Sequence, residues 1–325
     1  MNRIILLSLI GAGVVGLEGC AVQSLPSPSV ASSPTASRSA ELHYRVTSLP
    51  TSEVHVLRIP ASAYQVVPAV APEIADLATF AQRYDAVAVL NGGFFDPQNQ
   101  KSTSYVTIQG QQVADPRQNE RLVSNPELAL YMDQILNRSE LRRYQCGQNL
   151  RYAIALHRDP IPTDCELLDA LGAGPQLLPE LTSELEGFTA TDATGTVIRD
   201  ALGSRQPNAR TAVGLTPDGD MLWVMVAQKP GVNPSGLSLP AMAEFLKSLG
   251  VTAALNLDGG SSSALFYEGT TVHGKLDAEG NPTVPASISC RCSSGRVAPW
   301  AVLSLSQVSI TGLSVNAIAL ILCRR

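Results

Sequence analysis

The sequence lacks the residues with which many hydrolytic and nucleotide-binding sites begin. Its four histidines, His43, His55, His157 and His273, adjoin no cluster of acids or cysteines, so each reads as a packing or surface residue rather than a base. No G-K-[ST] supplies the lysine of a P-loop, and no G-x-S-x-G sets a serine on a nucleophile elbow. Neither HExxH nor the spacing of an EF-hand occurs. Long basic runs are absent and the formal charge is -5, which argues against nucleic acid as a partner and against a polybasic membrane patch. A small or polar ligand fits better.

What is present is a chain of 325 residues, 45% hydrophobic, enough for a substantial core in one domain with appended ends. Residues 1–20 have the form of an export signal: Arg3, the apolar run "IILLSLIGAGVVGL", and a lipobox-like "LEGC" ending on Cys20, the expected lipidation site. That run is short for a spanning helix. Residues 21–41 read as a Ser/Pro-rich tether. The folded part is therefore expected outside the cytoplasm, in the periplasm or at the cell surface, anchored by an N-terminal lipid or secreted. In an oxidising compartment Cys146 and Cys165, which flank a strand-and-turn segment, are the expected disulfide. Cys290, Cys292 and Cys323 leave an odd count, and "CRC" lacks the spacing and second ligand pair of a zinc site.

Periodicity predicts a strand with one exposed face at "EVHVLRI", then an amphipathic helix over "APEIADLATFAQRY" starting near Pro72. A hairpin is expected around Gln109 and Gly110, and a helical stretch over "NPELALYMDQILNRSELRRY". A second hairpin should turn at the Pro-Asp-Gly of "ARTAVGLTPDGDMLWVMVAQ". "SLPAMAEFLKSLG" carries an N-cap at Ser238, a stripe of Leu239, Met242, Phe245, Leu246 and Leu249, and a stop at Gly250. It leads into a strand that breaks at "NLDGGSSS", as the earlier strand "DAVAVL" breaks at "NGGFFDP". The repeated pattern of apolar strand, Asn, paired Gly and nearby Asp suggests two exits from one sheet converging on a shared site.

Paired glycines permit close backbone approach, and successive N–H groups can form an anion-binding nest. An isolated pair is more often a sharp turn. The combination with Asp258, Ser261, Ser262, Ser263 and the repeat at Asn91 favours a site.

In chain order, "NGGFFDP", "SYVTIQG", "GAGPQLL", "ARTAVG", "LPAMAEFLKSLG" and "ALNLDGGSSSAL" resemble the phosphodiester glycosidase family, which includes the enzyme that uncovers mannose 6-phosphate on lysosomal proteins; the match covers roughly residues 85 to 270. The resemblance implies hydrolysis of a sugar 1-phosphodiester. A phosphate leaves far more readily than an alkoxide, so one carboxylate plus phosphate donors would suffice. Asp258 would be the nucleophile or general base, with Asn256 and Asn91 holding sugar hydroxyls or orienting it. Arg210 would clamp the phosphate. Gly92, Gly93, Gly259 and Gly260 would offer N–H groups, and Ser261 and Ser262 hydroxyls. Asp96 is either a second catalytic carboxylate or a turn cap. No cofactor is required, although Asp, Asn and Ser oxygens would suit a hard cation such as calcium.

The expected fold is α+β, a mixed, mostly antiparallel sheet with packed helices in a single domain. Its parts are an N-terminal strand and helix region at 42–84, a catalytic domain at 85–285 and a divergent tail at 286–325. Arg296 stands weakly for an arginine that family members carry before their last strand. The tail, too short for a membrane span, is a docked strand or helix, or an irregular end. The expected substrate is a glycosyl phosphodiester of a surface or extracellular polysaccharide. The rival functions are a non-catalytic carbohydrate- or envelope-binding module and a hydrolase with Ser261 or Ser262 as nucleophile.

Overall fold

The computed structural model describes residues 40–71, 75–277, 279–282 and 317–325. The export signal with Cys20, nearly all of the tether, Pro72, Cys290, Cys292 and Arg296 lie outside the described residues.

The chain runs β1 (His43–Ser48), β2 (Ser52–Ile59), β3 (Tyr64–Ala71), α1 (Leu77–Tyr84), β4 (Ala88–Asn91), β5 (Val106–Ile108) and β6 (Gln111–Ala114). Short helices α2 (Glu120–Val123) and α3 (Met132–Ile135) precede β7 (Ser139–Cys146), β8 (Asn149–Leu156), β9 (Cys165–Gly172), β10 (Gln176–Leu178), β11 (Thr189–Thr191) and β12 (Val197–Asp200). Then come β13 (Arg210–Leu215), β14 (Met221–Gln228), α4 (Leu239–Ser248), β15 (Ala253–Asn256), β16 (Ala264–Tyr267), β17 (Thr270–His273) and β18 (Ala317–Arg324). Three larger sheets are ordered β1-β2-β14-β13-β15-β10, β17-β16-β4-β18-β3 and β6-β5-β9-β7-β8, with β11-β12 a separate ribbon. Every strand pair is antiparallel. This is the α+β, mostly antiparallel fold that the patterning implied.

Strand alternation explains the layering. On β14, Met221, Trp223 and Met225 join a central core with Leu57, Leu90, Leu141, Leu171, Leu255 and Leu320. Leu222, Val224 and Val226 point the other way, onto Leu239, Met242 and Leu246 of α4. A third layer packs Leu77 and Phe80 of α1 on Val89, Ala319 and Ile321. "EVHVLRI" was expected to keep one face in water; instead Val54 and Val56 sit under α4 while Leu57 and Ile59 enter the central core.

Local signals place several elements well. Ser238 accepts the Ala241 N–H as the N-cap of α4, and Gln109 and Gly110 both take positive φ in the β5–β6 turn, as a tight hairpin requires. Two elements differ from the reading of the sequence. Helix α1 begins at Leu77 because Asp76 caps it, accepting from Thr79 N–H at 2.7 Å. "SELRRY" is not helical but is most of β7, a strand paired on both sides by β8 and β9; two ladders outweigh the helix preference of Leu, Glu and Arg. Cys146 and Cys165 face each other across β7 and β9 and form the disulfide.

The boundaries at 84/85 and 285/286 do not divide the fold. Strands β1 and β2 complete the sheet of β14, while β18 lies between β4 and the edge strand β3 of another. Among the described residues no helix is long and apolar enough to cross a membrane.

Candidate active site

Strands β4 and β15 belong to different sheets, so the two exits expected from one sheet are two sheet ends meeting. The join is the buried Asn91. Its amide donates to the Asp258 carbonyl at 2.8 Å, while its Oδ1 accepts from the Thr211 hydroxyl at 2.8 Å and the Ala264 N–H at 3.0 Å. Asp258 N–H returns a bond to the Gly92 carbonyl at 3.0 Å, and Leu257 N–H reaches Thr211 O at 2.8 Å. Replacing Asn91 with alanine would leave three buried groups unpaired, a loss of about 3 to 5 kcal/mol. Denaturant melts should show it, with activity falling below the folded fraction because the Asp258 loop is untied.

Asn256 is also buried. Its Nδ2 donates to Gly174 O at 2.9 Å, and its Oδ1 has no partner among the described residues. Both asparagines thus fix backbone around the carboxylate, and neither is open to a sugar hydroxyl.

Asp258 itself is half-buried. Its Oδ1 accepts the Gly259 N–H at 2.9 Å, and Ser262 bonds the carboxylate through its side chain. Burial pushes the carboxyl up to about 6, against those two bonds, which pull it down. A carboxylate with so raised a pKa is suited to moving protons near neutrality.

The glycines turn out mostly structural. Gly92 N–H bonds Ile318 O, Gly259 N–H bonds the Asp258 carboxylate, and Gly260 N–H bonds Ala209 O. Of the four, Gly93 alone has an N–H without an acceptor among the described residues. It must be glycine because a Cβ there would lie 2.3 Å from the Gly172 carbonyl oxygen. Gly260 has φ +61, which opens the turn carrying Ser261 and Ser262. No histidine is hydrogen-bonded to either serine among the described residues: His55 meets Tyr44 and His157 meets Glu140.

Two candidate roles are corrected by partners that no motif reveals. Arg210 is buried, and its guanidinium donates to the carbonyls of Leu237, Leu202, Gly203 and Gln206 at 2.9 to 3.1 Å. Burial pushes it down to about 10, opposed by Asp200. It ties a loop together, and a phosphate clamp would need those donors released. Asp96 accepts from Gln98 N–H at 2.8 Å and pairs with Arg121 at 2.9 Å. It is the cap of its turn. Thr211 and Gly174 were missed as supports of the site; Thr211 carried a faint signal, inside "ARTAVG".

Beside Gly93 lies a narrow cleft lined by residues that include Ser104, Tyr105, Arg138, Glu140 and Gly172. Ser104 and Tyr105 open "SYVTIQG" and Gly172 opens "GAGPQLL", but none of the five was given a role from the sequence. No three His, Cys, Asp or Glu side chains converge as a metal ligand set among the described residues.

Comparison with known proteins bears on this geometry. The family model described as phosphodiester glycosidase matches residues 84–288. The structure is similar to the catalytic domain of zebrafish N-acetylglucosamine-1-phosphodiester alpha-N-acetylglucosaminidase auto-inhibited by pro-peptide, at 16% identity and TM-score 0.57 over 90% of this chain and 85% of that one. It also resembles a hypothetical protein from Synechocystis at 17% identity and TM-score 0.50, over 87% of this chain but only 62% of that one. Identities this low speak for the fold alone. No curated protein matches.

Proposed function

The chain belongs to the phosphodiester glycosidase family, a family of hydrolases, and from that premise we propose that it hydrolyses a sugar 1-phosphodiester with Asp258 as general base. The observation that carries this reading is the Asp258 carboxylate at the meeting of two sheets, raised to about 6 by burial. In the proposed step a water oxygen attacks the anomeric carbon as Asp258 takes its proton. The bond from that carbon to the phosphate oxygen breaks, and the phosphomonoester leaves with the electron pair. Because phosphate needs no protonation to depart, the reaction has no use for a second carboxylate, which agrees with Asp96 being committed to its turn. Ser262 and Gly259 orient the carboxylate, and Asn91 and Asn256 hold its loop.

The substrate class we propose is a glycosyl phosphodiester of a cell-surface or extracellular polymer, met by a protein exported through residues 1–20 and lipidated at Cys20. The disulfide agrees with an oxidising compartment. The soluble form beginning near Glu41 should release free sugar and phosphomonoester from a panel of sugar 1-phosphodiesters. Inversion at the anomeric carbon, read by proton NMR, supports a base; retention would make Asp258 a nucleophile. Because the base must be ionised, kcat/KM should rise with pH through about 6. A profile flat from pH 4 to 8 would contradict that role. No release from any substrate, with sugar phosphates still raising the melting temperature, would make the domain a binding module.

A further inference from the structure

Building on that reading, we infer that the cleft beside Gly93 seats the phosphate of the substrate, with Arg138 and Ser104 as the residues that hold it. Arg138 lies with its guanidinium carbon 3.7 Å from the centroid of the Phe188 ring, and its Nε donates to the Glu186 carbonyl at 3.2 Å. Its two terminal nitrogens meet no acceptor among the described residues. That leaves the ends of the fork, the part that matches phosphate oxygens, unbonded among the described residues in a side chain that belongs to the lining of the cleft.

The carboxylates nearby are not hydrogen-bonded to it among the described residues. The Glu186 carboxylate is occupied by four donors, namely Ser139 N–H, Ser139 Oγ, Gln176 N–H and Thr182 Oγ1. Glu140, which also lines the cleft, is bonded by Arg142 at 2.9 Å and by His157 at 2.5 Å. Arg199, whose Nε donates to Gly187 O, adds positive charge. Burial and Arg199 together push the Arg138 guanidinium down to about 10, with Glu186 opposing, so it remains a cation at neutral pH with no carboxylate hydrogen-bonded to it among the described residues.

Ser104 is the second observation. It is 5% exposed, it lines the cleft, and its Oγ has no hydrogen-bond partner among the described residues, which leaves the hydroxyl free to donate there. The cleft also adjoins the carboxylate loop. A Cβ on Gly93 would be 3.3 Å from Ser104 Oγ, and the neighbouring Gly92 carbonyl accepts the Asp258 N–H. Gly172, which also lines the cleft, is followed two residues later by Gly174, whose carbonyl holds Asn256. The cleft is too narrow for a sugar ring, so in this arrangement a phosphate oxygen would enter it between Ser104 and Arg138 while the sugar stays outside, toward the Asp258 loop.

The test uses inorganic phosphate at constant ionic strength, titrated into the soluble protein and followed by calorimetry and by 31P NMR. Saturable binding is expected in the wild type and in Asp258→Asn. It should weaken roughly 30-fold or more in Arg138→Gln and about 5-fold in Ser104→Ala, the sizes usual for charged and neutral hydrogen bonds. Ser104→Ala removes only an unpartnered hydroxyl, so it decides the matter if Arg138→Gln fails to fold. Wild-type phosphate affinity in either folded variant, or an unchanged KM for a phosphodiester in Arg138→Gln, would overturn the subsite while leaving hydrolysis intact. Conversely, Arg138-dependent phosphate binding in a protein that turns over no phosphodiester keeps the subsite and removes the hydrolytic reading.

Discussion

Asp258→Asn is expected to lower kcat by about three to four orders of magnitude, the usual contribution of a positioned base together with the electrostatics it supplies, while leaving the melting temperature at pH 7 unchanged or slightly raised. The two halves of this expectation have one cause. Burial raises the Asp258 carboxyl from 3.8 to about 6. A carboxyl with a raised folded-state pKa contributes a stability that is fully present below its unfolded value and is lost as pH rises through the folded one. At neutral pH the ionised group therefore opposes folding, and the amide relieves that cost while keeping an oxygen for Gly259 and Ser262. Wild type should lose stability relative to the mutant between about pH 4 and 6. Melts across that range, beside turnover at pH 7, check both halves. A mutant that retains turnover would remove Asp258 from the chemistry. One that loses turnover by unfolding would show that the carboxylate is structural.

The sequence disclosed what is written locally. Ser238, the apolar stripe of α4 and Gly250 fall within one stretch, and Gln109-Gly110 defines its own turn. "NLDGGSSS" could be picked out as a candidate site because strand, carboxylate and glycines are contiguous. What stayed hidden depends on partners far along the chain. Arg210 looked like an anion clamp until four carbonyls from residues 202–206 and 237 occupied its donors. The glycines looked like a nest, yet Gly92 is held by Ile318 and Gly260 by Ala209. Asn91 was read as holding sugar hydroxyls or orienting the carboxylate, and its bonds to Thr211 and to the Asp258 carbonyl tie its sheet to the end of the other. Ser104 lay inside "SYVTIQG" and Arg138 outside any motif, and neither was given a role, because which of their polar atoms go unbonded among the described residues is set by tertiary contacts. Polar side chains near a chain break could be listed from sequence, but their direction was set by tertiary contacts.

The largest stability effect is expected from the last nine residues. Ending the chain at residue 316 should leave a protein with no cooperative melt, although the family match stops at residue 288. Strand β18 pairs at eight positions with β3 and at four with β4, so its loss opens two edges in the middle of a sheet. Leu320 and Leu322 leave the central core, and Ala319 and Ile321 leave the layer beneath α1. Each large apolar side chain contributes about 1.5 to 3 kcal/mol by burial, and the ladder adds to this, against a net domain stability of only about 5 to 15 kcal/mol. The damage reaches the site directly, because Ala319 pairs with Asn91 and Ile318 O accepts the Gly92 N–H. A milder probe, Leu320→Ala, should fold with a loss of about 2 to 5 kcal/mol. Far-ultraviolet circular dichroism and urea melts of residues 40–316 beside 40–325 decide the point. A synthetic 317–325 peptide that restores the cooperative transition would show that the loss is of this strand alone. A truncated chain that melts like the full one would mean that β3 and β4 close without β18, and that the exit at Asn91 and Gly92 is set by β15 and Thr211 rather than by the sheet.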